Sequence, residues 1–235
     1  MKKSVIVGIL TIGLSGLGMG GGDIAPVTLA PADSWGGFYI GAQAGWIRGR
    51  DNVDVSSNYG YSDRFRLKPN GGLGGLYGGY NWELSKNWLV GIEGEFNWIS
   101  ADDEIPTLDP SYNYKIKYKW EAAVLARVGK VLDQTYFPYI LGGLTWQRIA
   151  GSWPNTVNDS AWAAEDKKTL HGWTLGAGLE MKLSKNLHVR LQYRYNHYHQ
   201  ADLLHDEWVG GTYFATYEKV KLHENVIQVG LSYHF

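Results

Sequence analysis

The chain closes on His223-Glu224-Asn225-Val226-Ile227-Gln228-Val229-Gly230-Leu231-Ser232-Tyr233-His234-Phe235. From Ile227 onward the odd positions are apolar, while Gln228, Gly230, Ser232 and His234 between them are small or polar. A period of two is the pattern of a β-strand with two unlike faces. Such a strand either forms the edge of an ordinary sheet or is the last stave of a closed barrel. The rest of the sequence decides between them.

Working outward, the same alternation predicts strands over Leu187–His199, Leu170–Leu183, Tyr136–Ile149, Tyr118–Val131, Trp88–Ser100, Gly72–Trp82 and Trp35–Trp46. With the closing stretch that makes eight. Glu83–Asn87, Leu132–Thr135 and Ser184–Asn186 are tight turns, and the first and last share the tetrapeptide Leu-Ser-Lys-Asn. The other connections, Arg48–Asn70, Ala101–Tyr114, Ala150–Thr169 and Gln200–Leu222, read as long polar loops. Short turns at one end and long loops at the other predict an all-β, eight-stranded, antiparallel up-and-down transmembrane barrel, with short periplasmic turns and four long extracellular loops.

Composition agrees. The 235 residues carry a net charge of −1, no cysteine, 11 Trp, 16 Tyr and 31 Gly. A near-neutral chain has no electrostatic footprint for nucleic acid. Absence of cysteine excludes a disulfide scaffold and suits an oxidising compartment. Abundant Trp and Tyr fit interfacial girdles. At the amino end, Met1-Lys2-Lys3 precedes a short, Gly-rich apolar run to Met19, and Ala30-Pro31-Ala32 fits a cleavage site. Residues 1–32 therefore read as a cleaved signal peptide and 33–235 as the barrel, Gly20-Gly21-Gly22 offering a second cut. A retained helical anchor is the alternative, weakened by the glycines and the short run.

Alternation alone leaves the sense of the wall open, since a lipocalin-like soluble barrel would turn its apolar face inward. The signal segment, the terminal Phe235, and Trp46, Trp82, Trp88, Trp98, Trp120, Trp146 and Trp173 near strand ends favour the membrane orientation. The charged face then lines the lumen: Glu93, Glu95, Glu121 and Glu180 against Arg127, Lys182, Arg190 and Arg194, four acids balancing four bases. Eight strands leave room for little more than these side chains, and buried charges must pair. Facing Leu183 with Leu187 across their turn sets a register that puts Glu180 opposite Arg190.

Trp35-Gly36-Gly37-Phe38-Tyr39-Ile40-Gly41-Ala42-Gln43-Ala44-Gly45, Gly78-Gly79-Tyr80-Asn81-Trp82 and Val90-Gly91-Ile92-Glu93-Gly94-Glu95-Phe96 resemble the first three strands of the porin-family outer-membrane surface proteins of alpha-proteobacteria, within the OmpA-like and opacity-protein barrel class. The resemblance implies a Gram-negative outer-membrane barrel, usually described as a structural surface antigen or a small porin; some relatives are described as haemin-binding. It implies Phe235 as the signal read by the assembly machinery. Unlike OmpA itself, the chain stops at its last strand, so a peptidoglycan-binding domain is not expected. Outer-membrane lipid and lipopolysaccharide are the expected partners, with a host or small-molecule ligand at the loops. No P-loop, HExxH or Ser/His/acid constellation stands out, so neither enzyme activity nor a cofactor is expected. The main expectation is a structural barrel with a charge-plugged lumen; the alternative is a small porin or a haem- or metal-binding uptake protein.

The Leu183–Leu187 register also places His171 opposite His199, with His197 two residues away and His223 at the loop end of the closing strand. Imidazole is a common ligand for zinc, copper or haem iron. These four are candidate metal ligands at the extracellular rim, against the blander reading of amphipathic rim residues.

Overall fold

The alternating stretches form strands whose backbone groups are satisfied by their neighbours, which a wall in lipid requires. The computed structural model describes residues 34–58, 60, 62–105, 114–152, 165–209 and 212–235. The segment read as a signal peptide lies outside these residues, as do 106–113 and 153–164 of the expected second and third loops. The strands are β1 (Gly37–Ser57), β2 (Ser62–Leu67), β3 (Asn70–Glu83), β4 (Trp88–Ile105), β5 (Tyr114–Lys130), β6 (Tyr136–Ser152), β7 (Glu165–Lys182), β8 (Leu187–Tyr198), β9 (Ala201–Val209) and β10 (Thr212–His234). Eight of them, β1 and β3 to β8 with β10, pair in antiparallel sequence, and β1 closes on β10 from Tyr39↔His234 to Ser57↔Thr216.

Two expected loops are largely strand. Within Arg48–Asn70, β1 runs on to Ser57 and β2 pairs back onto it. Within Gln200–Leu222, β9 pairs with the outer half of β10. The outer parts of β1 and β10 also pair with each other, so a four-stranded sheet continues the wall. A strand in water tolerates residues such as Asn52, Asp54, Arg64 and Arg66, so its sequence lacks the apolar face by which a lipid-facing strand is recognised.

The apolar face points outward. Phe38, Ile40, Leu76, Ile92, Val124, Ile140, Leu175, Leu191, Val229 and Leu231 are exposed, whereas Glu93, Glu95, Glu121, Glu180, Arg127, Arg190 and Arg194 are buried. On β10 the outward apolar band runs from Ile227 to Phe235, about the nine to eleven residues a tilted strand needs to cross a bilayer. Trp46, Trp98 and Trp173 stand exposed at one margin of the wall and Trp82, Trp88, Tyr136 and Tyr233 at the other.

Alternation fails at one place. Register shifts at Trp98/Ala101 in the β4–β5 pairing and at Tyr118/Trp120 in the β5–β6 pairing mark a β-bulge around Lys119. A bulge adds a residue to one strand and reverses its facing. Tyr118 therefore points inward, 2 % exposed, although it shares parity with the outward Trp120. The turns differ despite their common tetrapeptide. Ser85–Asn87 is a 3-10 turn ending on Asn87 at φ 65°, a left-handed conformation asparagine accepts more readily than most residues. Both turns are nonetheless closed by the same bond, Leu84 N–H to Trp88 O at 2.7 Å and Leu183 N–H to Leu187 O at 2.8 Å.

Candidate functional site

The interior is stacked in three zones. Nearest the turns, Trp35, Leu89, Leu125, Val131, Phe137, Tyr139 and Leu141 form an apolar layer. Toward the long connections, Ile47, Leu67, Leu73, Ile99, Ile116, Ile149, Leu170, Leu222 and Val226 form a second, with Tyr118 and Tyr198. Charged and amide groups fill the middle. Inward glycines make room for the rings there: a Cβ on Gly41 or Gly230 would collide with Tyr77, and one on Gly178 with Tyr139.

Arg190 lies at the centre. It donates from Nη1 to Glu93 at 2.7 and 2.8 Å, and from Nη2 to Glu95 at 3.0 Å and Gln43 at 2.6 Å. Its guanidinium lies 3.5 Å from the Tyr77 ring centre, a cation–π contact. Toward the turns, Arg127 binds Asn81 and reaches Glu180 at 3.0 Å and Glu93 at 3.5 Å. In the other direction, Arg194 bridges Glu95 at 3.2 Å and Glu121 at 2.6 Å. Tyr39 donates to Glu93 and Tyr139 to Gln192. Beyond these, Asn196 and Tyr198 donate to Glu224, and Tyr118 to Asp51. Removing one member of such a buried network strands its partner, and the cost lies in that stranded charge rather than in the lost attraction.

Glu180 does face Arg190 across β7 and β8, but each spends its contacts elsewhere, Glu180 on Arg127 and Arg190 on Glu93 and Glu95. An eight-stranded lumen is narrow enough for Arg190 to reach across it to β4, while Glu180 meets Arg127 two strands away and His188 on the neighbouring strand. The expected four-to-four balance is also corrected. Lys182 stands half-buried at the turn-side mouth, its Nζ 5.1 Å from the Trp35 ring. Among the described residues the buried carboxylates are Asp51, Glu93, Glu95, Glu121, Glu180 and Glu224, against the guanidinium groups of Arg127, Arg190 and Arg194.

The four candidate rim ligands form two pairs. His171 and His199 are exposed and stacked at 5.0 Å between ring centres, and the His199 N–H donates to His171 O. His197 and His223 face each other across β8 and β10, with Nδ1 to Nδ1 at 2.9 Å, and the Tyr195 hydroxyl lies 3.1 Å from His223 Nδ1. These lie past Asn225, outside the apolar band. There, partial burial and then His197 and Lys221 hold the His223 imidazole below its usual value.

Sequence reasoning missed a third histidine group. His188 and His234 point into the lumen and converge on one oxygen of Glu180, His188 Nδ1 at 2.8 Å and His234 Nε2 at 3.1 Å. Their even numbering, shared with Arg190 and Gln228, is the signal that would have placed them inside. Asn186 fixes the strand end. Its O accepts from His234 N–H at 2.8 Å, and its Nδ2 donates to His234 O at 2.7 Å.

Residues 21–235 match the model of the outer membrane protein beta-barrel domain family. The chain is 30% identical over 217 residues to a 31 kDa outer-membrane immunogenic protein of Brucella melitensis, covering 88% of each chain. It is 30% identical over 211 residues to a 22 kDa outer membrane protein of Rhizobium leguminosarum, covering 90% of this chain and 82% of the relative. The fold resembles the crystal structure of the outer membrane protein OprG from Pseudomonas aeruginosa, with a TM-score of 0.53 at 12% identity over 86% of this chain and 99% of that one. With its closed wall and its outward apolar band, the chain belongs to the outer membrane protein beta-barrel family and is a protein of the outer membrane.

Proposed function

We propose that the chain is a non-catalytic structural and surface barrel, contributing to envelope integrity and external contacts, with a lumen plugged by its own charges. In this reading residues 1–32 are removed on export and Phe235 is the assembly signal. The observation that carries it is the Arg127–Arg190–Arg194 ladder between two apolar layers, whose ion pairs of 2.6–3.5 Å tie Arg127 to β4 and β7 and carry Arg190 and Arg194 across the lumen from β8 to β4 and β5. An ion would have to break several buried charge pairs to pass. The strand extensions beyond the apolar band are the parts available for outside contact, in keeping with relatives named immunogenic.

Conductance tests this against the porin alternative. Wild-type protein in planar bilayers is expected to give no steady single-channel steps; reproducible steps of uniform size would establish the porin reading instead. A second reading, a low-affinity metal or haem contact at the rim, has the close approach of His197 to His223 in its favour. Titration of haemin against wild type and a His171→Ala/His199→Ala/His197→Ala/His223→Ala variant tests it, and equal binding by both would end it.

A further inference from the structure

At the turn end of the lumen, His188 Nδ1 and His234 Nε2 meet Glu180 Oε1 at 2.8 and 3.1 Å, and the three ligand atoms lie within 4.8 Å of one another. We propose that Glu180, His188 and His234 form a binding site for a divalent transition-metal ion of the zinc class, separate from the rim histidines and independent of whether the lumen conducts. Two imidazole nitrogens and one carboxylate oxygen are the donors zinc prefers, and three protein ligands leave a fourth position for water.

The surroundings favour a cation in two ways. Arg127 takes Glu180 Oε2 at 3.0 Å, which orients the carboxylate and leaves Oε1 toward the imidazoles, as groups behind a metal ligand do. The two rings are stacked at 3.7 Å between centres, so two imidazolium charges there would repel at close range. A metal ion needs neither ring charged. On binding it takes the lone pairs of His188 Nδ1 and His234 Nε2, and each proton moves to the other nitrogen of its ring. Those nitrogens, His188 Nε2 and His234 Nδ1, are buried without a hydrogen-bond partner, so the new N–H groups offset part of what the ion supplies.

The strand ends hold the site in place. Asn186 clamps the backbone of His234, and Tyr39 stacks on its ring at 5.0 Å. Trp35 covers His188 at 4.6 Å and also lines a cleft of 390 Å³ at the turn-side mouth, with Glu83, Leu89 and Val131. One ring thus separates the cluster from that cleft.

The test uses the full barrel extracted in detergent, stripped with EDTA and returned to Zn²⁺ by equilibrium dialysis. Wild type is expected to bind one zinc per chain, with an X-ray absorption first shell of two imidazole nitrogens and a carboxylate oxygen. His188→Asn or His234→Gln should weaken binding at least about tenfold, the lower bound for losing a group that merely orients a ligand. His197→Ala/His223→Ala should leave this site within about threefold. The proposal is overturned by no stoichiometric zinc, by a shell lacking the two imidazoles, or by loss with the rim variant alone. If the lumen variants do not fold, as a heat-dependent gel shift would reveal, the wild-type absorption shell decides.

Discussion

The barrel carries histidines toward both ends, and the two groups sit in opposite surroundings. The rim pairs lie outside the apolar band, exposed or half-buried, and meet mainly each other and aromatic neighbours. The lumen pair is buried, backed by a carboxylate that is itself fixed by an arginine. In water the same side chain can move and exchange partners, so proximity there is worth little. Inside, every polar atom needs a partner, so proximity means commitment. The difference teaches that histidine spacing alone does not locate a binding site, and that the supply of charge behind the imidazoles matters more.

The largest expected effect lies at the lumen end of this comparison. Deleting Phe235, whose backbone N–H donates to Phe38 O at 3.0 Å beside the buried His234, should sharply reduce the folded, heat-modifiable species in the outer membrane. Deleting Asn158 should not; equal assembly of the two would sink the terminal-signal reading. Next comes Arg190→Ala, which takes the shared guanidinium from Glu93 and Glu95 and leaves them only Arg127 at 3.5 Å and Arg194 at 3.2 Å. It should cost about 3–5 kcal/mol in denaturant unfolding. Arg64→Ala, which removes an exposed pair with Asp54 on the strand extension, should leave the midpoint unchanged. Similar shifts for both would mean that water reaches the lumen.

The rim should respond least. His197→Ala is expected to change stability by no more than about 0.5 kcal/mol. It should also raise the His223 pKa in NMR titration, because His197 is among the groups that hold it down. Partial burial is the larger cause and remains, so the value should stay below 6.5. The sign of the linked stability follows. A histidine with a depressed folded pKa binds fewer protons folded than unfolded, so its contribution is present above the unfolded value and lost as pH falls through the folded one. An unchanged His223 titration in the variant would show that the 2.9 Å approach does not persist in solution.

The lipid-facing wall was legible in the sequence, because lipid demands an unbroken apolar stripe and a period of two displays it. Register was legible too. One turn placed Glu180 opposite Arg190 and His171 level with His199. What could not be read were contacts across the barrel. Arg190 and Glu93 are 97 residues apart, and no local pattern distinguishes a partner on the far wall from one next door. The bulge hid the inward turn of Tyr118, since a single extra residue leaves no mark in composition. The extensions β2 and β9 were hidden because strands in water need no apolar face. His188 and His234 carried the right parity, but their meeting depends on Asn186 bringing two strand ends together.

We propose a wall with its apolar face in lipid and its charged face in a closed lumen. The chain has no cysteine, so single thiols can report on each face. Gln228→Cys and Val229→Cys, adjacent on β10 and facing opposite ways, would be treated in vesicles with a membrane-impermeant maleimide and with a lipid-soluble one. Neither is expected to react with the aqueous reagent, and only Val229→Cys is expected to react from the lipid. Aqueous labelling of Gln228→Cys would contradict the closed lumen, and lipid-side labelling of Gln228→Cys alone would reverse the faces.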